Sequence, residues 1–400
     1  MTIGMCTIVS KNYISLARTL VHSFLEHHPN GKAFVLLVDR NNGEINVKQE
    51  SFEIIELNQI QLPREEFLCF KYNITELNTA VKPFFMEYLF KTHQIDKLLY
   101  FDPDILIMQP LDTAYDLLSH FSIVLTPHIL SPINDDQLKP SEIDLMQAGA
   151  YNLGFIGLSK SATTFRFLSW WKERLYKYCF IDFARGLFVD QKWIDLVPGM
   201  FENTYILRDY AYNVAYWNLH ERKLDYNNKT YYVNGKPLVF YHFSGFNIDL
   251  KQISKHQNRF DLRKVPNLYS LFNEYKQKIL SHDFLKTRNF IYTFDYFDNQ
   301  IKIPDIVRKI FISLGDKGLE FGNPFYTNEQ RSYYRWLIAP IAPHTKIPRL
   351  IYEVYSRRPD LKAAFPNITR NDELSFIQWA KVSLNREYNI DKKFLDVLLK

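Results

Sequence analysis

Three segments at the start of the chain constrain its fold more than any others. Residues 3–9 read Ile-Gly-Met-Cys-Thr-Ile-Val, an almost unbroken apolar run of the kind a strand buried on both faces needs. Residues 12–27 follow with Leu16, Leu20, Val21, Phe24 and Leu25 at helical spacing, and Pro29-Asn30-Gly31 ends that helix. Residues 33–38, closed by Asp39, repeat the buried-strand texture, and residues 52–57 repeat it again. A strand, a helix and a second strand at this spacing imply a crossover, and so a parallel sheet with helices on its faces. Such sheets bind ligands outside the carboxyl ends of their strands, so Thr7, Val9, Ser10 and Asp39 are expected at a nucleotide crevice. No Gly-x-Gly-x-x-Gly follows the first strand and no Gly-Lys-Ser/Thr loop occurs, which argues against dinucleotide enzymes and phosphate-loop enzymes.

The strongest chemical signal lies at residues 97–109, Lys-Leu-Leu-Tyr-Phe-Asp-Pro-Asp-Ile-Leu-Ile-Met-Gln. Side chains at i and i+2 of an extended segment point the same way, so Asp102 and Asp104 can converge on one divalent cation, with Pro103 stiffening the turn. Alone, Asp-x-Asp is weak evidence, because roughly one is expected by chance at this length, and an acidic turn explains it too. The apolar runs on both sides favour a buried strand end over a solvated turn.

Farther along, within residues 76–93, Pro83 fits the first position of a helix whose free amides would face the crevice. Lys82 beside it is either a phosphate ligand or a surface lysine. Residues 111–120 read as helix and 121–125 as strand. Residues 126–150, with Pro127, Pro132 and Pro140, read as a long polar loop suited to a lid or an acceptor site. The sheet resumes at residues 151–158, where Gly154 and Gly157 allow close backbone approach. Residues 162–178 form an amphipathic helix whose aromatics, Trp170 and Trp171 included, serve core packing. Asp190-Gln191 opens a short helical stretch stopped at Pro198-Gly199. A last strand, 238–241, ends on His242-Phe-Ser-Gly245-Phe246. Two aspartates and His242 at strand ends make an octahedral site for Mn²⁺ or Mg²⁺ with positions left for phosphate oxygens; a hydrogen-bonded core histidine is the competing reading.

Apolar content of 46% supplies a core, and no run approaches the eighteen or so residues of a membrane span. No basic segment followed by an apolar stretch opens the chain, and Cys6, Cys69 and Cys179 are odd in number and widely spaced, so a reducing cytoplasm is expected. Residues 251–400 hold 26 Lys+Arg against 16 Asp+Glu, +10, which leaves 23 against 28, −5, for residues 1–250. That basic region suits lipid headgroups or an anionic polymer at the inner face of a membrane; no dense cluster stands out and nucleic acid is not expected. The texture changes after residue 247, and the expected units are 1–260 (catalytic), 261–284 (a connecting helix) and 285–400 (a mainly helical, basic accessory domain).

Four motifs in order, Leu-Tyr-Phe-Asp102-Pro-Asp104-Ile-Leu-Ile, Tyr-Asn152-Leu-Gly-Phe-Ile-Gly-Leu, Asp190-Gln191-Lys-Trp-Ile-Asp and Tyr-His242-Phe-Ser-Gly245-Phe, resemble the metal-dependent GT-A glycosyltransferases over residues 1–250. Among these the chain is similar to the retaining family 8 group. The resemblance implies an α/β, GT-A (Rossmann-like) fold: a mixed, mostly parallel sheet flanked by helices. It implies that Asp102, Asp104 and His242 ligate the metal, and that Asn152 faces the donor sugar or acceptor. Asp190 would bind sugar hydroxyls and Gln191 would lie near the anomeric carbon. Thr7, Val9, Ser10, Tyr13, Asp39 and Gly245 would hold the nucleotide. The family's Lys-Pro-Trp after His-Phe-x-Gly is missing, with Phe246-Asn247-Ile248 in its place, so either Lys82 substitutes for its lysine or the donor end is arranged differently. The implied activity moves a sugar from a nucleoside-diphosphate sugar, a UDP-sugar first, to a hydroxyl of a glycan, glycolipid or protein, with retention, in bacterial surface polysaccharide synthesis or protein glycosylation. Two alternatives stand: an inverting enzyme with Glu142, Asp144 or Asp190 as base, and a degenerate sugar-nucleotide-binding or scaffold protein.

Overall fold

The computed structural model describes residues 1–399, which form two compact units, Met1–Leu62 with Glu76–Ile291, and Pro63–Thr75 with residues 292–399. In the first unit the strands are β1 (Ile3–Val9), β2 (Lys32–Leu37), β3 (Glu53–Glu56), β4 (Lys97–Phe101), β5 (Ile105–Ile107), β6 (Ile123–Pro127) and β7 (Tyr151–Ser159), followed by the short edge strand Thr204–Ile206. Seven of them make one sheet in the order Thr204–Ile206, β6, β7, β4, β1, β2, β3. All its pairings are parallel except those of β7, which runs against both β4 and β6. The reversal matters for the site. It brings the start of β7 to the same edge as the carboxyl ends of β1, β2, β4 and β6.

The mixed, mostly parallel sheet with flanking helices is the expected fold. Its central strands are apolar throughout because helices such as Ile14–His27 cover them: Ala17, Leu20, Val21 and Phe24 pack with Val35, Leu37, Leu99 and Phe101 in one core. Each of the Val, Leu and Phe side chains contributes about 1.5–3 kcal/mol on burial.

Several expectations need correction. Residues 261–284 are not a connector: helix Leu268–Ser281 belongs to the first unit, with Tyr275 stacked on Phe243 at 3.8 Å between ring centroids. Residues 76–93 are two helices, Ile74–Ala80 and Lys82–Thr92, with Pro83 at the second residue of the latter. The loop at 126–150 contains a helix, Glu142–Ala148, started by reciprocal hydrogen bonds between Ser141 and Asp144. A three-stranded ribbon at Leu224–Asn227, Thr230–Val233 and Lys236–Pro237 was not anticipated.

The second unit is helical and has its own core. Phe70 meets Phe297, Phe311, Phe325 and Tyr333 there, so residues 63–75 fold with the C-terminal region and not with the sheet that precedes them in sequence. All three cysteines are buried. No helix among the described residues is long and apolar enough to cross a membrane.

Candidate functional site

At the end of β4, the Asp102 N–H donates to the Gly154 carbonyl of β7 at 2.8 Å, and Pro103-Asp104 then turn the chain out of the large sheet. Beyond the turn β5 pairs antiparallel with Phe240–His242, setting His242 opposite Ile105, and the Phe243 N–H donates to the Asp104 carbonyl at 2.8 Å. This second ribbon carries the imidazole to the aspartates. His242 Nε2 lies 3.1 Å from Asp104 Oδ1 and 3.9 Å from Asp102 Oδ2, and the three side chains offer ligand atoms within 4.8 Å of one another.

Gly154 makes room for that ring: a Cβ there would stand 2.3 Å from His242 Cε1. Trp217 packs edge-on against the opposite side, with ring centroids 5.2 Å apart. Burial disfavours the imidazolium, but Asp104 in contact and Asp102 behind it outweigh burial and raise the His242 pKa. The pocket is thus negative enough to draw a cation. Two carboxylates and one imidazole, with no thiolate among them, suit Mn²⁺ or Mg²⁺, and the side chains of Asp102 and Asp104 are 33% and 23% exposed, leaving a side open for further oxygen ligands.

Behind Asp102 lies a buried chain of contacts. The Tyr100 hydroxyl donates to Asp102 Oδ1 at 2.7 Å; burial, then the Asp102 charge, raises the phenol's pKa and keeps it protonated. Lys82 Nζ sits 4.1 Å above the Tyr100 ring, donates to the Leu153 carbonyl at 3.0 Å and pairs with Asp190 Oδ2 at 2.5 Å. Lys82 is 1% exposed, so the surface-lysine reading fails: its ammonium is engaged by Asp190 and a carbonyl inside the fold. Asp190 is buried as well, and burial raises its pKa while Lys82 opposes the shift.

Asn152 and Gln191 form the next shell. Gln191 Oε1 accepts from the Leu153 N–H at 3.0 Å and from Asn152 Nδ2 at 3.3 Å, while its Nε2 donates to the Ala148 carbonyl at 3.0 Å. Asn152 Oδ1 accepts from the Gly154 N–H and from Asn213 Nδ2, each at 3.1 Å. Both amides therefore brace the start of β7. Three residues not singled out from the sequence join them. Asn213 also donates to Thr126 Oγ1, Asn218 donates to the His128 and Asn213 carbonyls, and His128 Nε2 lies 3.3 Å from Asn152 Nδ2. Burial lowers the His128 pKa to about 4, so its neutral ring accepts from the Asn152 amide.

The residues expected to hold a nucleotide lie along the same edge. Thr7, Val9, Ser10 and Asp39 are buried where β1 and β2 end, Ser10 Oγ donating to Asn12 Oδ1 and Asp39 Oδ1 accepting from the Arg40 N–H. Tyr13, at the end of the turn Lys11–Tyr13, is half-exposed. Gly245, three residues past His242, has φ +72° and a Cβ position only 2.3 Å from Ser254 Oγ, so no side chain fits there.

No protein-family model matches the chain. It is 26% identical over 293 residues to the uncharacterized protein YfnF of Bacillus subtilis (strain 168), covering 70% of this chain and 94% of that one. To the uncharacterized YfnD of the same organism it is 26% identical over 254 residues, 62% of this chain and 79% of the other. Among solved structures it is similar to galactosyltransferase LgtC in complex with donor and acceptor sugar analogs, at TM-score 0.42 and 14% identity, over 69% of this chain and 95% of that one. The glycosyltransferase GlyE of Streptococcus pneumoniae TIGR4 overlays at TM-score 0.41 and 15% identity, over 74% and 67%. Overlays at this level leave the chemistry to be argued from the site itself.

Proposed function

We propose that the chain is a metal-dependent glycosyltransferase that moves a sugar from a nucleoside-diphosphate sugar, UDP-linked first of all, to an acceptor hydroxyl with retention of configuration. The convergence of Asp102, Asp104 and His242 at the carboxyl edge of a mostly parallel sheet carries this reading. A divalent cation held by these three groups would neutralise the charge that gathers on the β-phosphate as the sugar–phosphate bond breaks.

The rest of the work falls to the chain. Tyr100 fixes one oxygen of Asp102, and Lys82 holds Asp190 and Leu153 in place, so the metal ligands and the sugar-binding end move as one body. Asn152 and Gln191 keep the strand between them rigid, and Gln191, a neutral amide, is a poor nucleophile. Of the three carboxylates named as base for an inverting enzyme, Asp190 is paired with Lys82, Asp144 is bound by Ser141 and Glu142 accepts from the Ile133 N–H; the retaining reading has the departing diphosphate take the acceptor's proton. The anomeric coupling of the product tests that point.

The decisive experiment is a melting-shift screen of nucleotide sugars with and without Mn²⁺. A donor at a hundred times its Kd adds about 2.7 kcal/mol of stability. The expected result is a shift that needs both donor and metal and disappears in Asp102→Asn and Asp104→Asn. No shift across the panel, or one indifferent to those variants, overturns the reading.

A further inference from the structure

Beside the network of Asn152 and Gln191 lies a cavity of about 640 Å³, within the range of sites that take drug-sized ligands. Its walls come from the ends of β6 and of Thr204–Ile206, the start of β7, and helix Glu142–Ala148. His128 joins it to the site already described, lining the cavity and meeting Asn152. Most of the wall is apolar: Ile129, Leu130, Leu145, Met146 and Ile206.

Polar side chains line it as well, and several are already engaged. Glu142 accepts from the Ile133 N–H, and Asp195 accepts from the Ala150 N–H and pairs with Lys192 at 2.7 Å. Arg208 differs. It lines the same cavity, is exposed, and has no ion-pair partner among the described residues. Against the Leu145 and Met146 wall an apolar substituent would be desolvated at no polar cost. The apolar character continues outward, because Met146 on the wall and Ile143 one turn earlier are 71% and 70% exposed.

We propose that this cavity is the acceptor subsite and that the acceptor is amphiphilic: its reacting hydroxyl lies at the Asn152 and Gln191 end, its apolar substituent runs along Leu145 and Met146, and an anionic group, phosphate or carboxylate, meets Arg208. This inference rests on the transferase reading. In the transfer, the bond from the anomeric carbon to the diphosphate oxygen breaks, a bond to the acceptor oxygen forms, and the hydroxyl proton leaves with the diphosphate.

The test uses the full chain with Mn²⁺ and the donor found in the melting screen. Acceptor kcat/KM is measured for methyl and octyl glycosides of one sugar, and for octyl glycosides carrying a carboxylate or a phosphate. Burial of the longer chain is expected to raise kcat/KM at least about tenfold from methyl to octyl, a gain lost in Met146→Asp. Either the carboxylate or the phosphate compound should gain about tenfold again, the stronger of the two identifying the anion, and Arg208→Gln should remove that step alone. Both substituted residues are exposed, so folding should be intact. Equal turnover of methyl and octyl compounds, or indifference to both substitutions while the donor-dependent melting shift persists, overturns this inference and leaves the transferase reading standing. Absence of that shift overturns the transferase reading, and the acceptor site with it.

Discussion

Lys82 Nζ and Asp190 Oδ2 stand 2.5 Å apart with their side chains only 1% and 3% exposed, so each charge depends on the other for its solvation. Removing one partner from such a pair leaves the other buried and uncompensated, which costs about 3–5 kcal/mol. Lys82→Met should lower stability by that amount in urea unfolding, and Lys82→Met with Asp190→Leu should recover most of it. Lys82 also covers Tyr100, which holds Asp102, so the single variant is expected to weaken Mn²⁺ binding without removing a ligand. A Lys82→Met protein of unchanged stability and Mn²⁺ affinity would show that the pair organises nothing.

At Gly154 a single added methyl group would press on the candidate metal site. An alanine Cβ would lie 2.3 Å from His242 Cε1, 2.6 Å from Nδ1 and 2.8 Å from Asn152 Oδ1, all groups held by their own contacts. The imidazole must move, so Gly154→Ala is expected to cost about 1–3 kcal/mol of stability and to reduce Mn²⁺ affinity at least about tenfold, as expected when the support of a metal ligand is disturbed. Gly157→Ala is the control. Its closest contact is the Leu99 Cδ2 methyl at 3.0 Å, the free end of a side chain, and its Mn²⁺ titration should match the parent's.

The strands of the sheet could be read from the sequence because both faces are covered, which makes residues 3–9, 33–38 and 151–158 nearly continuous apolar runs. Asp102 and Asp104 were legible for a related reason, as carboxylates between such runs. His242 was harder: only the long-range pairing of Phe240–His242 with β5 brings it to Asp104, and no local pattern encodes that. Neither reading of Lys82, phosphate ligand or surface lysine, anticipated its buried ion pair, because lysine is rarely buried unless paired and its partner lies over a hundred residues away. Helix Glu142–Ala148 did have a signal, Ser141-x-x-Asp144, hidden among the prolines of the segment. Asn213, Asn218 and His128 gave none, since a lone amide or imidazole becomes a strut only when the fold surrounds it.

His128 makes stability depend on pH in a definite direction. Its folded pKa is lowered by burial from 6.5 to about 4, so between those values the unfolded chain takes up a proton that the folded chain refuses. Stability from this residue is complete above about pH 6.5 and is lost as pH falls toward 4, at up to about 1.4 kcal/mol per pH unit. Urea midpoints measured with EDTA from pH 7 to pH 4 should fall less steeply for His128→Gln than for the parent. Parallel curves would mean that His128 is protonated in the folded state.

In the second unit Arg308 is buried, and one of its terminal nitrogens donates to the carbonyls of Cys69, Phe70 and Tyr72 at 3.3, 2.7 and 3.1 Å, while the other donates to the Phe294 carbonyl at 2.6 Å. The first three carbonyls end the helix Glu65–Lys71, so one guanidinium closes the inserted segment onto the C-terminal region. A lysine cannot reproduce that fork, and a methionine removes its donors altogether. Arg308→Met should destabilise this unit by about 3–5 kcal/mol and Arg308→Lys by less, read as faster proteolysis within residues 63–75 and 292–399. The residues proposed to bind metal and donor belong to the other unit, so the Mn²⁺-dependent melting shift with donor should survive in both variants. Proteolysis at the parental rate in Arg308→Met would show that aromatic packing around Phe70 alone holds the insertion.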